Sequence, residues 1–361
     1  MKVIDSGIIY RNPIPHIYSR HGYFPSAVKL PSGRMVATFS IGEAFESADL
    51  HSYASVSDDN GKTWSKPREL WERITNFSDF CRISLLDSGE IIAIISRCDR
   101  SRPDSGLTDP DTMGFTETEF WTQRSIDGEN WSEPQKIETP LVGPSFELCA
   151  PIRKLSDGRL ILPTSTWKGW DGYCPNGMKA VALVSSDNGI TWDKYMDVMA
   201  DTEDNIIYWE SRICELKDNR LLATAWTYND DKSCDLPVSY AVCDGEKFSA
   251  PDETGLQGQT TDIITLPDGR ILTIYRRTDK PGLWGNVSRI ENDKWINEEE
   301  LHLWGNTVSA KVGDDENMVT NFNNLRFGAP NTIFIDEKTI FISFWCIEDN
   351  VGNIRYIKLE I

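Results

Sequence analysis

The sequence contains no long apolar run. Its uninterrupted aliphatic stretches are no longer than five residues, as in Ile91–Ile95, whereas a membrane-spanning helix needs roughly 20. The first twelve residues, MKVIDSGIIYRN, also lack the apolar segment of about 7 to 15 residues that a secretory signal peptide contains. We therefore expect a soluble protein without a membrane partner. Its expected location is the cytoplasm, unless a signal peptide has been removed.

Cysteine pairs of the Cys-x-x-Cys type are absent as well. The eight cysteines are scattered along the chain, which favours buried thiols in a reducing compartment. His21, His51 and Asp49 do not have the spacing of a metal site. We expect neither a metal nor another cofactor.

Positive charge is also scarce. The chain has 37 Lys and Arg against 56 Asp and Glu, a net charge of −19. Proteins that bind bulk nucleic acid need many basic side chains to neutralise phosphates, so we expect no nucleic-acid partner. A local group of arginines in one cleft can still attract a small anionic ligand.

Helical periodicity is absent, and a hairpin pattern takes its place. Six times the chain shows an apolar stretch, a tight turn and a second apolar stretch, as in FPSAVKLPSGRMVATFS and TTDIITLPDGRILTIYR. The turns carry Ser-Gly, Asp-Gly, Asp-Asn or Asp-Glu, which favour tight hairpins. The turn centres recur about every 60 residues, which is enough for four strands and their loops, at Gly33, Gly89, Gly158, Asn219, Gly269 and Glu337.

A second strand pair follows each of these hairpins, and its turn often ends in tryptophan. The turn reads SDDNGKTW at Ser57–Trp64, SIDGENW at Ser125–Trp131 and SSDNGITW at Ser185–Trp192. Repeated four-stranded units of this kind are typical of β-propellers. A β-sandwich, the competing fold, has no need for six matched hairpins.

The two ends of the chain complete the predicted fold. The sixth unit ends with NIRYIKLEI, its third strand, and the N-terminal KVIDSGIIYR can supply the fourth. We therefore predict an all-β, six-bladed β-propeller with four-stranded antiparallel blades, closed by the N-terminal strand in the last blade. It forms a single domain, residues 1–361, with blades at approximately 20–72, 77–139, 145–200, 207–252, 258–304, and 322–361 plus 1–12.

The tryptophan turns carry a family resemblance. The pattern Ser-x-Asp-x-Gly-x-Thr-Trp, complete at Ser57–Trp64 and at Ser185–Trp192, resembles the Asp-box, or bacterial neuraminidase repeat, of the sialidase superfamily. With six hairpins in register, the resemblance covers nearly the whole chain. It implies the six-bladed propeller and a carbohydrate-active function. The Asp-box aspartates themselves read as turn clamps rather than catalytic groups.

The resemblance also indicates candidate catalytic carboxylates. The stretch YWESRICELKDNRLLATAW is similar to the family segment that carries the catalytic glutamate, and Glu210 falls on it. Asp49 lies near the position of the family's acid. Phe327 stands near the position of the family's tyrosine nucleophile, so that group is not matched.

Most of the family's arginine triad is also unmatched. Phe24 and Trp226 stand where two of the three arginines are expected, while Arg276 or Arg277 can supply the third. The chain therefore does not resemble a typical sialidase.

The resemblance places the starts and ends of the six hairpins on one face. Charged, polar and tryptophan side chains there suit a carbohydrate, because arginines hold acidic groups and indoles cover apolar sugar faces. The predicted substrate-binding residues are Tyr23, Arg82, Arg97, Glu147, Trp167, Arg212, Trp226, Asp262, Arg276, Arg277 and Arg326.

Three functions remain open from the sequence. A glycoside hydrolase would use Asp49 and Glu210 as acid and base. A lyase acting on a uronic acid would use His21 or Tyr23 as base. A glycan-binding propeller would need no catalysis. Titratable groups are dense on the predicted face, which favours an enzyme over a binder, and we favour a hydrolase acting on an oligosaccharide, acidic or neutral, over a lyase.

Overall fold

The described part of the chain comprises residues 1–141, 143, 145–147, 150–203, 205–310 and 324–361 of the computed structural model. Two predicted features fall partly outside it: residues 148 and 149 of the third hairpin, and residues 322 and 323 at the start of the last blade. The described residues include no helix with the length and hydropathy that a membrane span requires.

All regular structure in the described residues is β-structure. The strands form six antiparallel sheets, which are the blades of a six-bladed β-propeller, and the predicted fold class is confirmed. The chain divides into two compact units, each with three blades. The single-domain assignment stays a prediction.

The first unit comprises Met1–Asp109, Thr116–Ile137 and Ala329–Ile361. Its blades are β2-β3-β4-β5, β6-β7-β8-β9 and β23-β24-β25-β1. Their strands are β1 (Lys2–Tyr10), β2 (His21–Lys29), β3 (Met35–Gly42), β4 (His51–Ser57), β5 (Arg68–Glu69), β6 (Phe77–Leu85), β7 (Ile91–Asp99), β8 (Thr118–Ser125), β9 (Gln135–Lys136), β23 (Phe327–Phe334), β24 (Thr339–Glu348) and β25 (Val351–Glu360).

The second unit comprises Pro110–Phe115 and Glu138–Gly328. In its first blade, β10 and β11 both pair with β12, and β13 and β14 follow; the other two blades are β15 to β18 and β19 to β22. Their strands are β10 (Ser145–Glu147), β11 (Arg153–Lys154), β12 (Leu160–Trp167), β13 (Ala180–Ser185), β14 (Lys194–Met199), β15 (Ile206–Glu215), β16 (Leu221–Asn229), β17 (Cys234–Cys243), β18 (Asp252–Glu253), β19 (Gly258–Thr265), β20 (Ile271–Arg277), β21 (Leu283–Glu291) and β22 (Lys294–Trp304).

The N-terminal strand completes the last blade, as predicted. Strand β1 pairs antiparallel with β25, with Lys2 opposite Glu360 and Tyr10 opposite Ile354. Because β25 already pairs with β24, the pairing of β1 brings both ends of the chain into one sheet.

Apolar side chains fill the space between neighbouring blades. In the first unit, Val28 and Val36 of one blade pack with Ile83 and Ala93 of the next. Several middle strands, such as β3 and β12, are buried at every residue. Both faces of these strands are therefore covered, and their polar residues, such as Thr38 and Ser165, are buried together with the apolar ones.

The Asp-box turns are clamped by their aspartates. Asp187 accepts hydrogen bonds from Ile190 N–H at 3.1 Å, from Thr191 N–H at 2.9 Å and from the Thr191 hydroxyl at 2.6 Å. The turn also uses Asn188 and Gly189 with positive φ of 61° and 84°, a conformation in which Asn and Gly are tolerated. Trp192 is 2% exposed, and burying an indole of about 150–250 Å² contributes roughly 4–6 kcal/mol. The motif is therefore structural.

We predict that Asp187 stabilises the fold in a pH-dependent way. Hydrogen bonds, above all from the Thr191 hydroxyl, lower the pKa of Asp187 from 3.8 to about 2. A lowered folded-state pKa means that this stabilisation is present above about pH 4 and is lost as the pH falls towards about 2. The Asp187→Asn variant should therefore have a lower urea midpoint than the wild type at about pH 6, and the difference should shrink at about pH 3.

The Asp193→Asn variant serves as the matched control for that prediction, because Asp193 is an exposed residue just after the same turn. A difference between wild type and Asp187→Asn that does not change with pH would contradict the clamp.

Candidate functional site

A backbone irregularity recurs in the first strands of the blades. Phe24, Glu210, Thr260 and Ala329 all have positive φ, between 46° and 54°. In β2, β15 and β19 the pairing register also shifts at this point, as in a β-bulge. The strained backbone of Glu210 is therefore part of the blade architecture, and what distinguishes Glu210 is the carboxyl group that it carries there.

The Glu147 carboxylate meets the backbone of Glu210 in the second unit. Glu147, at the end of β10, accepts at Oε2 a hydrogen bond of 2.9 Å from the Glu210 N–H. The Glu210 Oε2 atom is buried and has no hydrogen-bond partner. Such an atom is uncommon in native proteins and costs about 1–3 kcal/mol. Glu210 is therefore a strong candidate for a group that meets a ligand.

Arg276 contributes a buried positive charge to this region. Its Nε donates to Gln259 Oε1 at 3.0 Å and its Nη1 donates to the Phe327 carbonyl at 2.9 Å. The side chain lies within the electrostatic influence of Glu210 and Asp235, yet burial is the larger effect and lowers the pKa of Arg276 to about 10. Arg276 is still a cation at neutral pH.

Asp235 connects the neighbours of Arg276. Its Oδ1 accepts a hydrogen bond of 2.7 Å from Trp226 Nε1, and its Oδ2 accepts one of 2.6 Å from Gln259 Nε2. The Arg276 guanidinium lies 5.6 Å from the centre of the Trp226 ring. Asp235, Trp226, Gln259 and Arg276 thus form one network between β16, β17, β19 and β20.

Three tryptophans stack beside this network. The Trp167 and Trp209 rings lie 4.9 Å apart at 10°, and the Trp209 and Trp226 rings lie 4.5 Å apart at 42°. Trp167 also donates from Nε1 to the Met113 carbonyl at 2.8 Å. With Trp167 5% exposed and Trp226 3% exposed, these indoles form a packed wall.

A fully buried carboxylate joins two arginines. Asp262 has no exposed side-chain surface, and its Oδ1 lies 3.0 Å from Arg153 Nη2 and 3.5 Å from Arg212 Nε. Arg212 also donates from Nη1 to the Ser211 carbonyl at 3.3 Å. Asp262 therefore neutralises buried charge contributed by β11 and β15.

Arg277 lies apart from Arg276 and its network. Its guanidinium pairs with Asp279 at 2.6 Å and with Glu300 at 2.7 Å, and it lies 4.7 Å from the Trp284 ring centre. The hydrogen bond to Asp279 is the main cause of the raised pKa of Arg277.

Arg326 is a half-buried residue that immediately precedes β23. Its backbone N–H donates to the Ala310 carbonyl at 3.1 Å.

In the first unit, Tyr23 and Phe24 belong to an aromatic cluster. Tyr23 packs edge-on against Phe45 and Trp345, each at 5.4 Å, and Phe24 lies 5.0 Å from Phe80. Burial is the main cause of the raised pKa of Tyr23. The phenol of Tyr23 therefore stays protonated near neutral pH.

His21 uses both ring nitrogens. Nδ1 accepts a hydrogen bond of 2.7 Å from Gly352 N–H. Nε2 lies 2.9 Å from Ser19 Oγ, which itself donates to the Glu43 carbonyl at 2.8 Å. These partners assign the proton to Nε2, and burial lowers the pKa of His21. The lone pair of His21 Nδ1, which a general base would need, therefore already accepts the hydrogen bond from Gly352 N–H.

Asp49 caps a turn between β3 and β4. Its Oδ1 accepts hydrogen bonds from Glu43 N–H at 2.9 Å and from Ser47 Oγ at 2.6 Å. The residue is exposed. Its catalytic role stays a prediction, and its visible contacts are those of a loop cap.

Arg82 has partners of its own in the first unit. It donates from Nη1 to the Pro25 carbonyl at 2.6 Å, and its guanidinium lies 5.9 Å from the Phe24 ring centre. The side chain is buried beneath the aromatic cluster.

Arg97 lies between two tryptophans. Its guanidinium is 4.4 Å from the ring centres of both Trp71 and Trp121, and it is 3.7 Å from Glu119. Burial is the main cause of the lowered pKa of Arg97. These contacts stabilise the second blade of the first unit.

His51 does not combine with His21 and Asp49. Its Nδ1 lies 2.7 Å from Asp79 Oδ2, and its Nε2 lies 3.0 Å from the Trp71 carbonyl. Across the part of the chain that the structure describes, no three His, Cys, Asp or Glu residues form a group that could hold a metal ion.

A family model matches a stretch of the sequence that includes Glu147, Glu210 and Arg276. A family model described as a BNR repeat-like domain matches residues 107–302, which is 196 of the 361 residues. The chain belongs to the BNR repeat-like domain family. No curated protein matches the sequence of this family member.

Solved structures resemble the fold of this BNR repeat-like protein. A protein of unknown function from Dyadobacter fermentans has a TM-score of 0.75 at 19% identity and covers 100% of this chain and 99% of its own. The NanB sialidase from Streptococcus pneumoniae has a TM-score of 0.65 at 15% identity, over 98% of this chain and 70% of its own. A leech intramolecular trans-sialidase has a TM-score of 0.66 at 12% identity, over 99% and 70%. The predicted resemblance to sialidases is confirmed for the fold.

Several residues of the BNR repeat-like protein have contacts that its sequence does not predict. Gln259 and Asp235 hold Arg276, and Arg153 pairs with Asp262. In the first unit, Glu46 accepts a hydrogen bond of 2.8 Å from Leu107 N–H, and burial raises its pKa. Their importance comes from contacts between distant segments, and no motif marks these positions.

We predict that Asp262 is essential for the stability of this BNR repeat-like protein. The Asp262→Asn variant leaves Arg153 and Arg212 without their shared counter-charge, and breaking a buried ion pair in this way costs about 3–5 kcal/mol. Urea unfolding of purified protein measures the loss. Asp268→Asn, at the exposed turn of the same hairpin, should cost less than about 1 kcal/mol. Equal stability of the two variants would overturn this role of Asp262.

Proposed function

We propose that this protein is a glycoside hydrolase that acts on an oligosaccharide carrying an acidic group. The observation that supports this proposal is the buried Glu210 Oε2, which has no hydrogen-bond partner. The Glu147 carboxylate binds the Glu210 backbone N–H, and the buried Arg276 lies within the electrostatic influence of Glu210. In this proposal Glu210 exchanges a proton with the glycosidic oxygen or with the attacking water.

The carboxyl groups of Glu147 and Glu210 have different surroundings. Glu147 receives an N–H donor from the backbone of Glu210, and such a donor stabilises negative charge. The Glu210 Oε2 lacks such a donor, which leaves this oxygen available to a ligand. Glycoside hydrolysis uses one carboxyl group as acid and another as base or nucleophile. Glu210 and Glu147 can supply this pair.

Arg276 supports an acidic substrate. Its Nε and Nη1 are held by protein acceptors, and a guanidinium carries five N–H donors. A carboxylate ligand can use the donors that remain, and in a buried site such a charged hydrogen bond is strong. The electrostatic influence of Glu210 on Arg276 supports an anion-binding role for Arg276 beside a proton-exchanging role for Glu210.

Hydrolysis is better supported than β-elimination. A lyase would need His21 or Tyr23 as a base, but both ring nitrogens of His21 are hydrogen-bonded, and the raised pKa of Tyr23 opposes its ionisation. Neither group offers a ready proton acceptor at neutral pH.

We predict that Glu210→Gln abolishes turnover while the fold is retained. A glutamine keeps the size of the side chain and lacks the ionisable carboxyl group, so kcat should fall at least about 100-fold. The measurement uses a panel of sialylated, uronic-acid and neutral oligosaccharides, and follows new reducing ends together with the absorbance of unsaturated products.

The matched control is Glu246→Gln, an exposed residue in the outer turn of the same blade, which should retain wild-type activity. Full activity of Glu210→Gln would remove Glu210 from the mechanism. Unsaturated products from the wild type would instead establish a lyase.

A further inference from the structure

Arg276 is held in place by the Gln259 amide, the Phe327 carbonyl and the Trp226 indole. Gln259 Oε1 accepts from Arg276 Nε at 3.0 Å, while Gln259 Nε2 donates to Asp235 Oδ2 at 2.6 Å. The other oxygen of Asp235 accepts from Trp226 Nε1 at 2.7 Å. Arg276 is 2% exposed, so a rotated guanidinium would have to find other buried acceptors.

The geometry points to Asp235 as the residue that positions Arg276, acting through Gln259. This inference rests on the proposed function only for the identity of the ligand that Arg276 binds. The orientation of Arg276 itself is a separate claim with its own measurement.

The chemistry of the amide makes Asp235 decisive. A Gln side chain has one donor end and one acceptor end, and either end can point towards a neighbour. A carboxylate only accepts hydrogen bonds, so Asp235 requires the NH₂ group of Gln259 to face it. The carbonyl group of Gln259 then faces Arg276, where an NH₂ group would repel the cation.

Trp226 fixes the other side of Asp235. An indole Nε1 can only donate, so it supports the carboxylate form of Asp235 and fixes its rotation. The face of the same indole lies 5.6 Å from the Arg276 guanidinium, a distance suited to a cation–π contact. One tryptophan thus contacts both the first and the last member of the chain Asp235–Gln259–Arg276.

The test begins with Asp235→Asn, which removes the requirement on the Gln259 amide. In ¹H–¹⁵N spectra of arginine side chains, the Arg276 Nε–H signal is identified by its loss in Arg276→Lys. We expect Asp235→Asn to shift this signal and to accelerate its exchange with water at least about tenfold. Trp226 would hold the Asn carbonyl, so the Asn NH₂ group would face the Gln259 NH₂ group and displace the amide from Arg276. Asp231→Asn, an exposed residue in the turn before β17, should leave the signal unchanged.

A double variant distinguishes positioning from general damage. In Asp235→Asn with Gln259→Glu, the amide and the carboxylate exchange places. The Asn NH₂ group can donate to the new Glu, the Asn carbonyl can accept from Trp226, and the Glu can accept from Arg276 Nε. We expect the slow exchange of the Arg276 Nε–H to return. An unchanged signal in Asp235→Asn, or no recovery in the double variant, would overturn the inference.

Kinetics connect the positioning to the proposed function. With an acidic oligosaccharide, Asp235→Asn should raise KM about tenfold with a smaller change in kcat, and the KM of a neutral oligosaccharide should not change. If the wild type cleaves no glycan while the spectra behave as expected, the proposed function fails and the positioning by Asp235 stands. If the spectra change but the KM for the acidic substrate does not, Arg276 is not the anion-binding group.

Discussion

Because both faces of the blades are packed, buried charges in this protein have to be satisfied by specific partners. Middle strands such as β3 and β12 are buried at every residue, and apolar side chains fill the space between the blades. Three of the charged side chains in the first two strands of the blades are Arg212, Asp262 and Arg276, each at most 2% exposed. A buried charge is tolerated only with a partner, and the site is consequently an ordered set of pairs.

The bulge in the first strands gives these pairs their geometry. Where the register shifts in β15 and β19, the side chains on either side of the bulge no longer follow simple alternation. Glu210 occupies the bulge itself, while Arg212 and Asp262 follow it in their strands and pair with each other. In β15 the bulge therefore separates Glu210, whose Oε2 has no hydrogen-bond partner, from Arg212 two residues further along the strand, which pairs with Asp262.

The features that can be predicted from the sequence are those formed by residues close to one another along the chain. Asp187 and its donors lie within four residues, and a hairpin can be recognised from its turn and its two arms. The partners of the site are far apart: Gln259 lies 24 residues from Asp235, and the Gly352 N–H that engages His21 lies 331 residues away. Such contacts depend on which blade ends become neighbours and on side-chain rotation, and neither leaves a periodic trace in the sequence.

Trp226 stands at a position where the resemblance to sialidases predicts an arginine, and that correspondence stays a prediction. In the structure its indole donates to Asp235 and lies over Arg276. An arginine would offer several donors and a competing charge beside Arg276, whereas an indole offers one donor and a face that attracts a cation. A tryptophan at this position therefore suits the orientation that the network around Asp235 gives to Arg276.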